Sequence, residues 1–379
     1  MPLKVLSIFG TRPEAIKLAP VIKALRAAPK EFGVRVCVTG QHRELLDQAL
    51  HLFDIRPDHD LAVMQPDQSL ADLTTRLLTG LAPVLAREKP DWVLIQGDTT
   101  TTLCAALAAY YQRLPVAHVE AGLRSHNPWH PYPEEFNRRL ADALSTLHLA
   151  PTEGARQNLL AEGIPDARIR VTGNTVIDAL LDVAARPYDF SRSPLARVPL
   201  DGKRVLLVTT HRRESFGAPL RALCRAIRQL AERYPRDVQV VLPVHLNPNV
   251  QKPVREELGR ASNIALLDPL DYEPLVHLMK RATFILTDSG GLQEEAPSLG
   301  VPVLVLRQVT ERPEGVEAGA ARVVGTDTDA IVAAAVQLLD NPEEHRRMAR
   351  VRNPYGDGQA SPRILEALRS FPAELLPPR

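Results

Sequence analysis

Short runs of aliphatic and β-branched residues alternate along this chain with longer stretches whose apolar positions recur at helical spacing. In the first half the runs are LKVLSIF (3–9), VRVCVT (34–39), WVLIQ (92–96), VAHV (116–119), TLHLA (146–150) and RIRVT (168–172). A second series follows with RVLLVTT (204–210), VQVVLPV (238–244), NIALL (263–267), TFILT (283–287) and VPVLVL (301–306). These runs are continuously apolar, the pattern of parallel strands covered on both faces. With helical stretches between them they predict two βαβ series, hence an α/β protein of two Rossmann-like, doubly wound domains. Between the series, RPYDFSRSPLARVPLDGK (186–203) is rich in proline and polar residues and has no period, and the connection is expected near it. The reading gives an N-terminal domain over 1–175 and a C-terminal domain over 176–361, with a C-terminal helix of about 362–379 able to pack back on the first. Two such domains facing a cleft would bind ligands at the carboxyl ends of their strands.

A chain of 379 residues agrees with two domains, being too long for one typical core. Its net charge of +1 supplies no field for nucleic acid or a membrane surface, so neither is an expected partner. Cys37, Cys104 and Cys224 lack CxxC spacing and read as buried, reduced thiols. MPLKVLSIFG enters a strand with no basic leader or cleavage motif, and no apolar run reaches membrane-spanning length, so a cytoplasmic protein is expected.

The candidate chemistry follows the strands. After the first comes GTRPEAIK, where Thr11 and Glu14 have capping-box spacing, Pro13 suits a first helical turn, and Arg12 and Lys17 could meet a phosphate at the helix N-terminus. A well-capped helix with solvated cations explains the same residues equally well. In GDTTTTL (97–103), Asp98 stands at a helix start, either as an N-cap or as a functional carboxylate. HRRESFG (211–217) sets His211 between a strand end and two arginines, facing an anion or lying in a surface loop. In DSGGLQEEAPSLG (288–300), Ser289, Gly290 and Gly291 offer open amides for a diphosphate or ribose. Glu295 could accept a ribose diol, or with Glu294 simply complement the helix dipole, and Arg312 follows the next strand. Four anion-seeking turns point to a nucleotide diphosphate ligand. Neither a dinucleotide fingerprint nor a metal motif such as HExxH is present, so no cofactor and no metal are expected.

FGTRPEAIKLAP, QGDTTTTL, HVEAGLRS, PEEFNRR, TGNTVIDAL, HRRESFG, PVHLNPNV, TDSGGLQEEAPSLGVPVLVLR and NPYGDGQAS, in collinear order from Leu3 to about Leu368, resemble the non-hydrolysing bacterial UDP-N-acetylglucosamine 2-epimerases. The resemblance implies a GT-B type fold, a homodimer, and cofactor-free interconversion of UDP-GlcNAc and UDP-ManNAc for cell-surface polysaccharide. It implies catalytic roles for Asp98, Glu120, Glu134 and His211, and UDP contacts for Arg12, Lys17, Ser289, Gly290, Gly291, Glu295 and Arg312. Leu270 and Leu275 stand at two further ligand positions. A second, allosteric UDP-GlcNAc site known in some members is matched by Gln41, Gln68 and His245, while Glu44 and Asp67 put two carboxylates where a diphosphate would lie.

This reaction accounts for the charges of HVEAGLRSHNPWHPYPEEFNRR (118–139). The C2 hydrogen of the sugar is not acidic. Loss of UDP from C1 coupled to removal of that proton gives a glycal, and re-addition with protonation on the other face inverts C2. A base, an acid and fixed cations are required. Glu135 and Arg139 could instead form a plain i,i+4 pair. Rival readings are a glycosyltransferase, a UDP-sugar sensor and a hydrolysing epimerase that frees ManNAc.

Overall fold

The computed structural model describes every residue except 41, 42, 213, 214, 260 and 379, and at 43 the backbone alone. The chain forms two compact units, residues 1–179 with 356–379, and residues 180–355. The proline-rich stretch 186–203 lies within the second.

In the first unit the strands are β1 (Leu3–Phe9), β2 (Phe32–Val38), β3 (His59–Asp60), β4 (Trp92–Gln96), β5 (Val116–Val119), β6 (Leu147–Ala150) and β7 (Ile169–Val171). They form one sheet of order β3-β2-β1-β4-β5-β6-β7, and every pairing is parallel. The helices are α1 (Arg12–Ala27), α2 (Arg43–Leu52), α3 (Leu70–Glu88), α4 (Thr100–Tyr111), α5 (Glu134–Leu144), α6 (Glu153–Ala161) and α7 (Thr175–Ala184), the last passing into the second unit. β3 was not anticipated, because two residues carry no recognisable apolar run.

The second unit repeats the plan with β8 (Arg204–Thr209), β9 (Val238–Pro243), β10 (Ile264–Leu267), β11 (Ala282–Thr287), β12 (Val303–Val305) and β13 (Ala321–Val323) in the order β10-β9-β8-β11-β12-β13. Its helices are α8 (Ala218–Arg233), α9 (Pro248–Leu258), α10 (Tyr272–Arg281), α11 (Gly290–Glu295), α12 (Pro313–Glu317), α13 (Thr328–Asp340) and α14 (Pro342–Ala349). The three-residue β13 also escaped the sequence reading. Both sheets are the expected doubly wound α/β type.

The strands are mostly apolar because helices cover both faces: Leu6, Ile8, Val93 and Ile95 pack against Leu77, Leu81 and Ala105. In the second unit Leu206, Val208 and Leu286 pack with Ile227, Leu230 and Ile331. Truncating any one of these leucines or isoleucines to alanine should cost about 2–5 kcal/mol. The C-terminal helix α15 (Ala360–Arg369) belongs to the first unit and lies against α1. Asp178 accepts its first amides, from Ala360 at 3.2 Å and Ser361 at 2.8 Å. Phe371 then meets the Trp92 ring edge-on at 5.3 Å.

Candidate active site

The strand order of the first sheet reverses between β1 and β4. Right-handed crossovers send α1 and α4 to opposite faces there, leaving both helix N-termini beside the gap. Glu14 spans that gap. Its buried carboxylate accepts the Gly10 amide at 3.1 Å, the Thr11 hydroxyl at 2.7 Å and the Thr99 hydroxyl at 2.8 Å. Burial pushes its pKa up against those hydrogen bonds. The expected capping box is thereby corrected: Thr11 is the N-cap, but its side chain makes no cap bond and donates to Glu14 instead. At α4 the N-cap is Thr99, whose hydroxyl takes the Thr102 amide at 3.2 Å. Asp98 is thus left out of the cap.

Asp98 and Glu120 leave neighbouring strands at one level, since Gln96 and Val119 are register partners. Asp98 is ion-paired with Arg138 of α5, and its carbonyl accepts the Asn137 side-chain amide at 3.0 Å. Glu120 sits in the left-handed region at φ 67°, a conformation that costs a non-glycine residue about 1 kcal/mol or more. Its carboxylate is ion-paired with Lys17 of α1 and accepts from Gln96 at 3.0 Å. Arg12, half-buried, opens α1. Glu134 opens α5, half-buried and without a hydrogen-bond or ion-pair partner among the described residues. The structure therefore brings Asp98, Glu120, Glu134 and Lys17 to one end of one sheet. Glu135 behaves otherwise than the i,i+4 alternative: it is buried, accepts the Ser125 amide at 2.9 Å, and lies 3.5 Å from Arg138. Arg139 faces Glu162 instead, at 3.6 Å.

The strand order of the second sheet reverses between β8 and β11, and there the bridging carboxylate is Asp288. Fully buried, it accepts the Thr210 hydroxyl at 3.0 Å, the His211 and Arg212 amides at 3.1 Å and the Ser215 hydroxyl at 2.8 Å. His211 Nδ1 lies 3.1 Å from it, while the ring is 47% exposed, so Nε2 is left to act outward. Burial would raise the Asp288 carboxyl, but the His211 ring, the Arg212 amide and the Ser215 hydroxyl hold it at about 2.

Ser289 is the N-cap of α11, followed by Gly290 and Gly291. A methyl on Gly290 would stand 3.8 Å from the Arg212 guanidinium and 3.9 Å from that of Arg312, so both cations close on this helix start. Glu294 is ion-paired with Arg312, and Glu295 is buried. Of the residues matched to an allosteric site, Gln41 lies outside the described residues. Gln68, in the first unit, holds Arg76 at 3.0 Å, and His245, in the second, is exposed and accepts the Asn247 amide at 3.2 Å.

Sequence reasoning did not find Arg138 as the partner of Asp98, nor the roles of Glu14, His118, Asp142 and Asp288. Apart from the bonds of Glu14 to Gly10 and Thr11, all are contacts between segments far apart in the chain. The one available signal was the recurrence of charged residues at 135, 138 and 142, a single helical face.

Two Rossmann-like domains, one presenting cation-paired carboxylates at its switch point and the other an arginine-lined helix start with a carboxylate-backed histidine, define an α/β protein whose polar groups gather at the carboxyl ends of its strands. In a glycotransferase of kitacinnamycin the same two-domain fold recurs at a TM-score of 0.65 and 15% identity, covering 100% of both chains. The family model described as UDP-N-acetylglucosamine 2-epimerase matches residues 23–369. The chain is 55% identical over 378 residues to the UDP-N-acetylglucosamine 2-epimerase of Salmonella typhimurium, covering 98% of this chain and 100% of that one. A crystal structure of UDP-GlcNAc 2-epimerase from Neisseria meningitidis bound to UDP-GlcNAc superposes with a TM-score of 0.86 at 49% identity, covering 97% of this chain and 99% of that one. This chain belongs to the UDP-N-acetylglucosamine 2-epimerase family, whose members are isomerases.

Proposed function

We propose that the protein interconverts UDP-GlcNAc and UDP-ManNAc by eliminating UDP to a 2-acetamidoglucal and adding it back with C2 inverted. The observation that carries the reading is the set of three carboxylates, Asp98, Glu120 and Glu134, held at the carboxyl end of the first sheet with Lys17 and Arg138 among them. The elimination moves a proton from C2 to a base while the C1–O bond breaks toward UDP, and the return step needs an acid on the opposite face. Asp98, Glu120 and Glu134 are the acid–base candidates, each contributing roughly a hundred- to ten-thousand-fold. In the second unit Ser289, Gly290, Gly291 and Arg312 hold the diphosphate, Glu295 the ribose, and His211 stabilises charge on the departing UDP. In the first unit Arg12 and Lys17 are the cations that meet phosphate. The family relationship, and the UDP-GlcNAc held by the Neisseria relative, support these assignments.

A homodimer is part of the proposal. Tyr110 and Tyr111 on α4 and Phe136 and Leu140 on α5, which packs beside it, are all exposed, an apolar surface suited to a second copy. Among the described residues no helix is long and apolar enough to cross a membrane and no side-chain group fits a metal ion.

Incubating the protein with UDP-GlcNAc alone and identifying products by NMR tests the function. UDP-ManNAc formed without NAD or added metal is expected. Free ManNAc would assign a hydrolysing epimerase, and activity lost to EDTA and restored by a divalent ion would refute the metal-free reaction.

A further inference from the structure

The segments that present Asp98, Glu120 and Glu134 are joined by the direct bonds described above, and they also meet at one buried side chain that no sequence motif marks. Asp142 lies two turns along α5 from Glu134 and is 1% exposed. One carboxylate oxygen is 2.6 Å from Nδ1 of His118, itself fully buried on β5. The other accepts the Gly122 amide at 3.1 Å and the Arg124 guanidinium at 2.8 Å. His118 Nε2 lies 2.7 Å from the Gly97 carbonyl, so both ring nitrogens face oxygens and the ring joins Asp142 to the turn before Asp98. Arg124 is anchored in turn by Glu162, at 2.8 and 2.7 Å. Gly122, at φ 85°, admits no side chain, since a Cβ there would stand 2.3 Å from the Ala155 carbonyl. The loop carrying Glu120 is therefore clamped between α5 and α6.

We propose that Asp142 is the positioning residue of the carboxylate set, fixing the Gly97–Asp98 turn through His118 and the Glu120 segment through Gly122 and Arg124 against the helix that carries Glu134. The carboxylate touches none of the proposed reacting groups. It acts by keeping three donors and acceptors on separate loops within reach of one C2 carbon, where a misplacement of about 1 Å costs on the order of a hundredfold in rate. Hydrogen bonding, not charge, is what the role requires. Asparagine at this position can still accept from Gly122 and Arg124 with its oxygen and donate to Nδ1 with its nitrogen, leaving Nε2–H on the Gly97 carbonyl.

The inference rests on the epimerase reading, and the experiment separates the two. Asp142→Ala, Asp142→Asn and His118→Leu are compared with wild type for UDP-GlcNAc turnover, UDP affinity and amide hydrogen exchange. Asp142→Ala should lower kcat by about a hundredfold, leave UDP affinity within about twofold, and speed exchange in both 97–99 and 120–124. Asp142→Asn should recover kcat to within about tenfold of wild type, and His118→Leu should open 97–99 alone. An alanine variant with wild-type turnover, equal losses in turnover and UDP affinity, or exchange unchanged in both segments overturns the proposal. So does an asparagine variant no better than alanine. If Asp142→Ala does not fold, His118→Leu decides by the same criteria on 97–99. A wild-type protein that fails to epimerise UDP-GlcNAc removes the functional reading, while the exchange pattern still decides the tie.

Discussion

Replacing Asp288 with asparagine keeps its shape and removes its charge, and the structure sets the cost. The carboxyl has no exposure and stands at about 2 instead of 3.8, because the bonds from His211, Arg212 and Ser215 outweigh its burial. That depression corresponds to about 2–3 kcal/mol of stability at neutral pH. The sign follows from the direction: a carboxyl depressed in the folded state contributes fully above about pH 4 and loses its contribution as pH falls toward about 2. Asp288→Asn should therefore lose about 2–3 kcal/mol at pH 7, roughly 5–10 °C in Tm, and its difference from wild type should shrink below pH 4. A second effect falls on His211. Wild type directs Nδ1–H at the carboxylate. An asparagine amide there donates to Nδ1 and removes the carboxylate that backs the ring, so the outward Nε2–H meets the departing UDP as a weaker donor. The fold survives, but turnover should fall by about a hundredfold or more. Thermal and urea unfolding at pH 7, 5 and 3.5, paired with turnover, provide the assay. A loss under about 1 kcal/mol at pH 7, or a difference that does not narrow in acid, refutes the stability reasoning. Turnover near wild type refutes the role of that carboxylate behind His211.

Three further outcomes are expected. Asp98→Asn, Glu120→Gln and Glu134→Gln should each lose most turnover while folding and binding UDP normally; a variant that keeps near-normal turnover removes its residue from the mechanism. In deuterated water, the label should enter C2 of the product, and full retention of the original hydrogen would exclude the elimination route. Burial pushes the thiols of Cys37 and Cys224 up to about 12 and that of Cys104 to about 11. None should react with a thiol reagent at pH 8 until urea exposes all three, and a reactive native thiol would contradict their burial.

The strands were legible because parallel strands buried on both faces need unbroken apolar runs, and their carboxyl ends then direct attention to Asp98, Glu120, His211 and Ser289. Local pattern stops there. That Asp98 is held by Arg138, forty residues on, or His118 by Asp142, depends on which loops the sheet order makes neighbours, and no periodicity encodes it. The capping-box spacing at Thr11 and Glu14 was real, but the glutamate also reaches Thr99 across the switch point. A tertiary acceptor role displaced the local one. Likewise Asp288 read as part of a glycine-rich turn, yet its side chain points back to the β8 loop.

The two switch points are built differently. Where neighbouring strands send their helices to opposite faces, loop amides and hydroxyls are left without strand partners and collect an acceptor. In the first unit Glu14 supplies it, drawing in donors from the starts of both α1 and α4. The place where an anion would ordinarily sit is thus filled by the protein's own carboxylate, and Lys17 beside it is engaged by Glu120. In the second unit Asp288 turns instead toward the loop after β8, taking its amides and hydroxyls. That leaves the start of α11, with Gly290 and the guanidinium groups of Arg212 and Arg312, facing outward. Equivalent positions in two similar sheets therefore differ in which helix start the internal carboxylate covers. This difference leaves the amide site at the second sheet open to the diphosphate proposed there, while at the first sheet the proposed phosphate contacts fall to the side chains of Arg12 and Lys17.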